Sequence, residues 1–171
     1  MKSDEKTKNL NIVSLLVISR LILSPIFFYL ILNEYNAVAF FVLVVVIFTD
    51  YLDGHLVKRL NLPPIFSFYL DPVSDFIFIF FSFSAFALKG IYPIIILFIL
   101  IFMFVQFIVS SGIKNPVYDP VGKYYGIFLF FVIGITLFIE KDNYGSAIAM
   151  IILVSTASLL SRIIFFKKKI K

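Results

Sequence analysis

Four aspartates, Asp50, Asp53, Asp71 and Asp75, stand inside stretches otherwise dominated by Phe, Ile, Leu and Val. In such surroundings a carboxylate costs at least ~2.5–3.5 kcal/mol unless it is partnered, so each one requires a reason. The spacing is three between the first two and four between the last two, and on helices each pair projects from one face. Four converging carboxylates without partners would repel and stay protonated. A hard divalent cation such as Mg²⁺ or Mn²⁺, which takes oxygen ligands, would hold them ionised. The chain has no cysteine and a single histidine, His55, so oxygen donors are the available ligands; His55 reads as an interfacial residue rather than a ligand. Caps at helix starts are the competing use of aspartate, as for Asp71 ahead of Pro72, but capping does not account for four carboxylates at one depth.

The elements that must position these groups are apolar helices. Over 171 residues the composition is 61% hydrophobic and 15% charged, with 23 Phe and a mean hydropathy of +1.06, more apolar mass than one core can bury. A water-soluble globule is excluded, and the expected fold is an all-α integral membrane domain covering 1–171. Continuous apolar runs at Leu10–Leu32, Ala37–Leu56, Ile65–Leu88, Ile91–Gly112, Tyr124–Ile139 and Ala147–Phe166 predict six transmembrane helices. Strands of a barrel would alternate polar and apolar residues instead. The run after the polar first ten residues lacks a small-residue cleavage site, so the first span is read as retained.

Depth can be read as well. Thirteen apolar residues, Ala37 to Thr49, precede Asp50, and thirteen, Phe76 to Leu88, follow Asp75. At about 1.5 Å per residue each stretch covers roughly 20 Å of a core about 30 Å thick, so both acidic pairs lie at matched depth toward the same side. A short 58–64 turn makes the two helices antiparallel neighbours.

Charge sets the orientation. With both termini in the cytoplasm, Lys2, Lys6, Lys8, Lys58, Arg59, Lys114, Lys123, Arg162 and the run Lys167, Lys168, Lys169 and Lys171 lie inside, against Lys89 and Lys141 outside. The net charge of +5 is then an inner-leaflet feature that favours anionic lipid and does not indicate nucleic-acid binding. Arg20 falls within span one, about 15 Å deep, and needs a partner; an ion pair with one of the aspartates and a contact with substrate phosphate both satisfy that need. Lys123, with Lys114 nearby, is placed to meet an acceptor phosphate at the cytoplasmic mouth, although inside-positive bias alone would also put lysines there. The Gly122-x3-Gly126 pair and the Phe-rich faces read as packing and lipid contact.

The run from Asp50-Tyr-Leu-Asp53-Gly54 through Val57-Lys58, then eight residues, then Ser67-Phe-Tyr-Leu-Asp71-Pro-Val-Ser-Asp75, resembles the CDP-alcohol phosphatidyltransferase signature D-x2-D-G-x2-A-R-x8-G-x3-D-x3-D. Spacing agrees throughout its 26 residues, and identity agrees at all four Asp and at Gly54, with Val57, Lys58 and Ser67 standing where the family has Ala, Arg and Gly. Asn11-Ile-Val-Ser and Arg20 in span one, Leu70-Asp71-Pro72-Val73-Ser74-Asp75 and Gly122-Lys123 look like the phosphatidylglycerophosphate synthase branch. The chain departs from that branch at Phe76, where a Lys is usual, and at Val105-Gln106, where Arg precedes an acid.

The resemblance implies transfer of a phosphatidyl or archaetidyl group from a CDP-linked lipid to an alcohol, with release of CMP. It implies glycerol 3-phosphate as acceptor, with inositol phosphate, phosphatidylglycerol or serine as alternatives. It further implies two Mg²⁺ or Mn²⁺ ions on Asp50, Asp53, Asp71 and Asp75, with Asp75 also the general base, and a nucleotide and diphosphate site at Gly54, Val57, Lys58 and Ser67. Arg20, Lys114 and Lys123 become candidates for the acceptor phosphate. A homodimer in the cell membrane, with the active site facing the cytoplasm and lipids around it, is also implied. Outside enzymology, a cation transporter would use buried carboxylates too, but a pathway needs polar groups across the whole depth, and the apolar stretches beside Asp50 and Asp75 hold little beyond Thr49, Ser82 and Ser84. An inactive scaffold leaves the aspartates unexplained.

Overall fold

The computed structural model describes residues 2–59, 64–110, 122–140 and 143–170, with side chains described for 17–52, 72–109, 122, 124–140 and 143–164. Among the described residues the chain is all helical, with no strand. In order the helices are α1 (Lys2–Leu32), α2 (Asn36–Arg59), α3 (Pro64–Leu88), α4 (Ile95–Ser110), α5 (Gly122–Thr136) and α6 (Tyr144–Ile170). Among the residues whose side chains are described, one stretch, Tyr144–Ile164 in α6, is both long and apolar enough to cross a membrane, and shorter apolar stretches of 10–17 residues include Val17–Leu32, Asn36–Leu52 and Pro72–Leu88. The chain divides into two compact units, Met1–Ala85 and Phe86–Lys171.

In the first unit, α1 buries a stripe at Val17, Arg20, Ser24, Phe27 and Ile31, spaced three and four apart along one helix face. The inner face of α2 repeats the pattern at Ala39, Leu43 and Val46, and Asp50 continues that row by one more turn. The two helices pack together through the turn at 33–35. This turn is a Schellman closure, with Tyr35 N donating to Leu30 O at 3.0 Å and Glu34 N to Ile31 O at 3.1 Å. It requires a left-handed residue, and Glu34 takes that conformation at φ 63°. Asn33 Nδ2 donates to Tyr29 O at 2.8 Å, satisfying a further carbonyl at the end of α1.

The third helix lies alongside α1 in parallel, with Phe27 on Phe78 at 4.8 Å between ring centroids and Phe28 edge-on to Phe81 at 5.9 Å. It starts at Pro64 and runs through Pro72 without ending. Asp71 is therefore in the helix interior, and the capping role that sequence allowed for it does not apply.

In the second unit, α5 and α4 both pack on α6. A second Schellman closure precedes α4, with Ile91 N to Phe86 O at 2.9 Å and Gly90 N to Ala87 O at 3.0 Å, and here glycine holds the left-handed position at φ 71°. The fourth helix begins at Ile95 rather than at Ile91, because Pro93 disfavours helical geometry in the residue before it; its first turn is made by Ile96 N to Pro93 O at 3.0 Å. Tyr92 and Thr136 join through their hydroxyls at 2.6 Å, Tyr125 and Ser155 at 2.7 Å, and the Arg162 guanidinium stacks 5.0 Å from the Phe107 ring centroid. Between α4 and α6 lies an apolar groove of about 300 Å³ walled by Phe98, Phe102 and Leu159.

Candidate active site

Three helices of the first unit bring their inner faces to one point. From α1 comes Arg20, fully buried. Its Nη1 lies 3.1 Å from Asp50 Oδ1 on α2 and 2.7 Å from Asp75 Oδ1 on α3, and it donates to Ser74 Oγ at 3.2 Å. Arg20 stands seven residues before Phe27 on α1 and Asp75 three residues before Phe78 on α3, an offset of about 6 Å along parallel helices that is within reach of an arginine side chain. Ser24 Oγ, one turn after Arg20, donates to Arg20 O at 2.7 Å.

The electrostatics follow from burial. A buried guanidinium without compensating charge is strongly unfavourable, and two carboxylates supply more than that compensation. The carboxylates themselves are not sealed in, since Asp50 keeps 47% and Asp75 24% of the side-chain surface exposed. The cluster therefore has a dry positive floor and an open negative rim. The ion pair with aspartate that sequence allowed for Arg20 is formed.

Asp53 lies one turn beyond Asp50 in α2, and Asp71 one turn before Asp75 in α3. Their side chains lie outside the described residues, as do those of Gly54, Val57, Lys58 and Ser67, whose backbones are helical. Lys123 is in the first turn of α5 with its side chain likewise outside, and Lys114 is wholly outside the described residues. No group of three or more potential metal-ligating residues is found among the described residues. Asp50 and Asp75 are oxygen donors of the kind a hard cation takes, and both lie against one positive nitrogen.

Sequence reasoning did not single out Ser74. Its hydroxyl is buried beside the guanidinium, and the available signal was a hydroxyl in the Leu-Asp-Pro-Val-Ser-Asp run at the place where the similar family run has Ala.

Comparison with known proteins identifies relatives of the chain. The family model for CDP-alcohol phosphatidyltransferase matches residues 10–161, a span that includes Arg20 and all four aspartates. A CDP-diacylglycerol–glycerol-3-phosphate 3-phosphatidyltransferase of Aquifex aeolicus (strain VF5) is 42% identical over 74 residues, 43% of this chain and 41% of that protein. The chloroplastic CDP-diacylglycerol–glycerol-3-phosphate 3-phosphatidyltransferase 1 of Oryza sativa subsp. japonica is 35% identical over 66 residues, 39% of this chain and 20% of that one. The chain thus spans about two-fifths and one-fifth of the length of these curated relatives. No solved structure matches it. With the family model covering most of its length, and the signature aspartates on α2 and α3 inside the match, the chain belongs to the CDP-alcohol phosphatidyltransferase family.

Proposed function

We propose that this protein transfers a phosphatidyl group from a CDP-linked lipid to glycerol 3-phosphate and releases CMP. The observation that carries the reading is the convergence of Asp50 and Asp75, two positions of the family signature, on one cationic nitrogen at an open rim. The names of the two relatives support glycerol 3-phosphate as acceptor.

In this reaction an acceptor hydroxyl oxygen attacks the β-phosphorus of the CDP-lipid. The new O–P bond forms as the diphosphate bridge to that phosphorus breaks, and CMP leaves with the bridging oxygen and its electron pair. The hydroxyl proton goes to Asp75, which stands on the same helix face as Asp71. Asp50, Asp53, Asp71 and Asp75 would hold Mg²⁺ or Mn²⁺, which when bound supplies the positive charge that offsets the diphosphate and the leaving group. Gly54 lets the nucleotide come close to α2, Val57 and Ser67 flank it, and Lys58 provides a point charge rather than the two-pronged grip of an arginine. Lys114 and Lys123 serve the acceptor phosphate.

The same reading makes the two units one six-span membrane domain with cytoplasmic termini, acting as a homodimer in the cell membrane with its site toward the cytoplasm. Large outward-facing side chains support a lipid environment, among them Phe41, Ile127 and Leu153, each about two-thirds exposed.

Purified protein in detergent with CDP-diacylglycerol tests the proposal. CMP should be released with glycerol 3-phosphate and at least tenfold more slowly with inositol phosphate, phosphatidylglycerol or serine. No CMP with any acceptor refutes the transferase reading; faster release with another acceptor reassigns the substrate.

A further inference from the structure

The second unit carries a groove that the proposed reaction does not use. About 300 Å³ in volume, it is walled by Phe98 and Phe102, one turn apart on α4, and by Ile152, Thr156 and Leu159 on α6. Phe98, Phe102 and Ile152 are exposed, so the groove opens outward from the helix pair. Its two wall hydroxyls are turned to the protein: Ser155 bonds Tyr125 of α5 at 2.7 Å, and Thr156 Oγ1 donates to Leu153 O at 2.8 Å. The groove therefore suits hydrocarbon rather than a polar ligand.

One end is different. Arg162 stands two turns after Ser155 and one turn after Leu159 on α6, while Phe107 stands one turn after Met103 on α4. There the guanidinium stacks 5.0 Å from the Phe107 ring centroid, with Arg162 buried. A permanent positive charge thus sits at the inner side of the groove's end, about 4.5 Å along the helix axis from Leu159. Stacking uses the face of a guanidinium, whereas a phosphate is met by its N–H edge, so the two contacts are compatible. Beyond Arg162, α6 carries Lys167, Lys168 and Lys169 within two turns.

In a bilayer an acyl chain fills such a groove, because an empty one forfeits dispersion contacts and lipid tails are as apolar as its walls. The head group then decides which lipid stays, and a cation at the groove's end selects an anion. We propose that the α4–α6 groove is a binding site for an anionic phospholipid, with one acyl chain along Phe98, Phe102 and Leu159 and its phosphate at Arg162. This lipid is neither substrate of the transfer reaction, and the site does not depend on that reaction.

The chain has no tryptophan, so a single introduced indole reports on its own surroundings. Phe102→Trp puts the reporter in the groove, and Leu153→Trp puts it on the outward face of α6. Each protein is reconstituted in dioleoylphosphatidylcholine vesicles containing brominated phosphatidylserine or brominated phosphatidylcholine, whose chains quench indole fluorescence on contact. In Phe102→Trp the quenching should show phosphatidylserine preferred by about fivefold or more, the ratio that roughly one basic residue near an anionic lipid supplies, and in Leu153→Trp by less than about twofold. Adding Arg162→Gln to Phe102→Trp should bring the preference below about twofold, and Arg162→Lys should retain at least half of it. Equal selectivity in the two reporters overturns the proposal, and that comparison decides it even if Arg162→Gln does not fold. An Arg162→Gln protein that keeps the full preference overturns it as well. So does Phe102→Trp fluorescence that neither brominated lipid quenches, which would put a second copy of the chain on the groove. Loss of the preference on adding glycerol 3-phosphate or CDP-diacylglycerol would assign Arg162 to the active site and equally sink the idea.

Discussion

Asp50 and Asp75 come from different helices, yet both direct Oδ1 at a single nitrogen, Nη1 of Arg20, at 3.1 and 2.7 Å. Two carboxylates held this way leave an acidic rim facing outward over a buried cation. Because such a rim repels a bound diphosphate unless further positive charge is added, activity should depend on Mg²⁺ or Mn²⁺. Excess chelator, Asp50→Asn or Asp71→Asn should each abolish CMP release, and both variants should still insert and fold. Full turnover under any of these conditions refutes the metal site.

Lys58 occupies the signature position where the family has Arg. A lysine supplies one charge without the two-pronged geometry of a guanidinium, so Lys58→Arg should keep or improve affinity for the CDP-lipid. Lys58→Ala should raise KM by tenfold or more, about 1.4 kcal/mol, with a smaller change in kcat. An unchanged KM for the Ala variant would leave Lys58 as a topology signal only.

Glu34 and Gly90 close their helices with the same turn and opposite chemistry. Glu34 holds φ 63° against its Cβ, while Gly90 holds φ 71° with no Cβ and open space where one would go. Glu34→Gly should therefore stabilise the protein by about 0.5–1 kcal/mol, and Gly90→Ala should destabilise it by about 1 kcal/mol through backbone strain alone. Thermal unfolding in detergent compares them; equal signs for the two changes would contradict the account.

Thr136 Oγ1 donates its one proton to Val132 O at 2.6 Å, so in the 2.6 Å contact with Tyr92 the tyrosine is the donor. The two deletions are then unequal. Tyr92→Phe removes a donor and leaves the threonine satisfied, costing about 0.5–1.5 kcal/mol, whereas Thr136→Val takes the acceptor from a buried phenol and should cost about 1–3 kcal/mol. The reverse order in unfolding measurements would reverse the assigned donor.

The helical class, the positions of the helices and the paired aspartates were legible from residue order. Uninterrupted apolar runs exclude strands, Gly90 announces its turn, and spacings of three and four put two carboxylates on one face. The start of α4 was not: the apolar run was read from Ile91, whereas the helix begins at Ile95 because Pro93 constrains the residue before it. The left-handed Glu34 was not, because glutamate carries no preference for that conformation and only the closure between α1 and α2 forces it there. Nor was the partner of Arg20. A buried stripe fixes which face of α1 turns inward, but not which neighbour it meets or at what height. That was decided by tertiary packing: with Phe27 on Phe78, α1 and α3 stand in a register where a guanidinium deep in an apolar helix finds Asp50, Asp75 and Ser74 within reach.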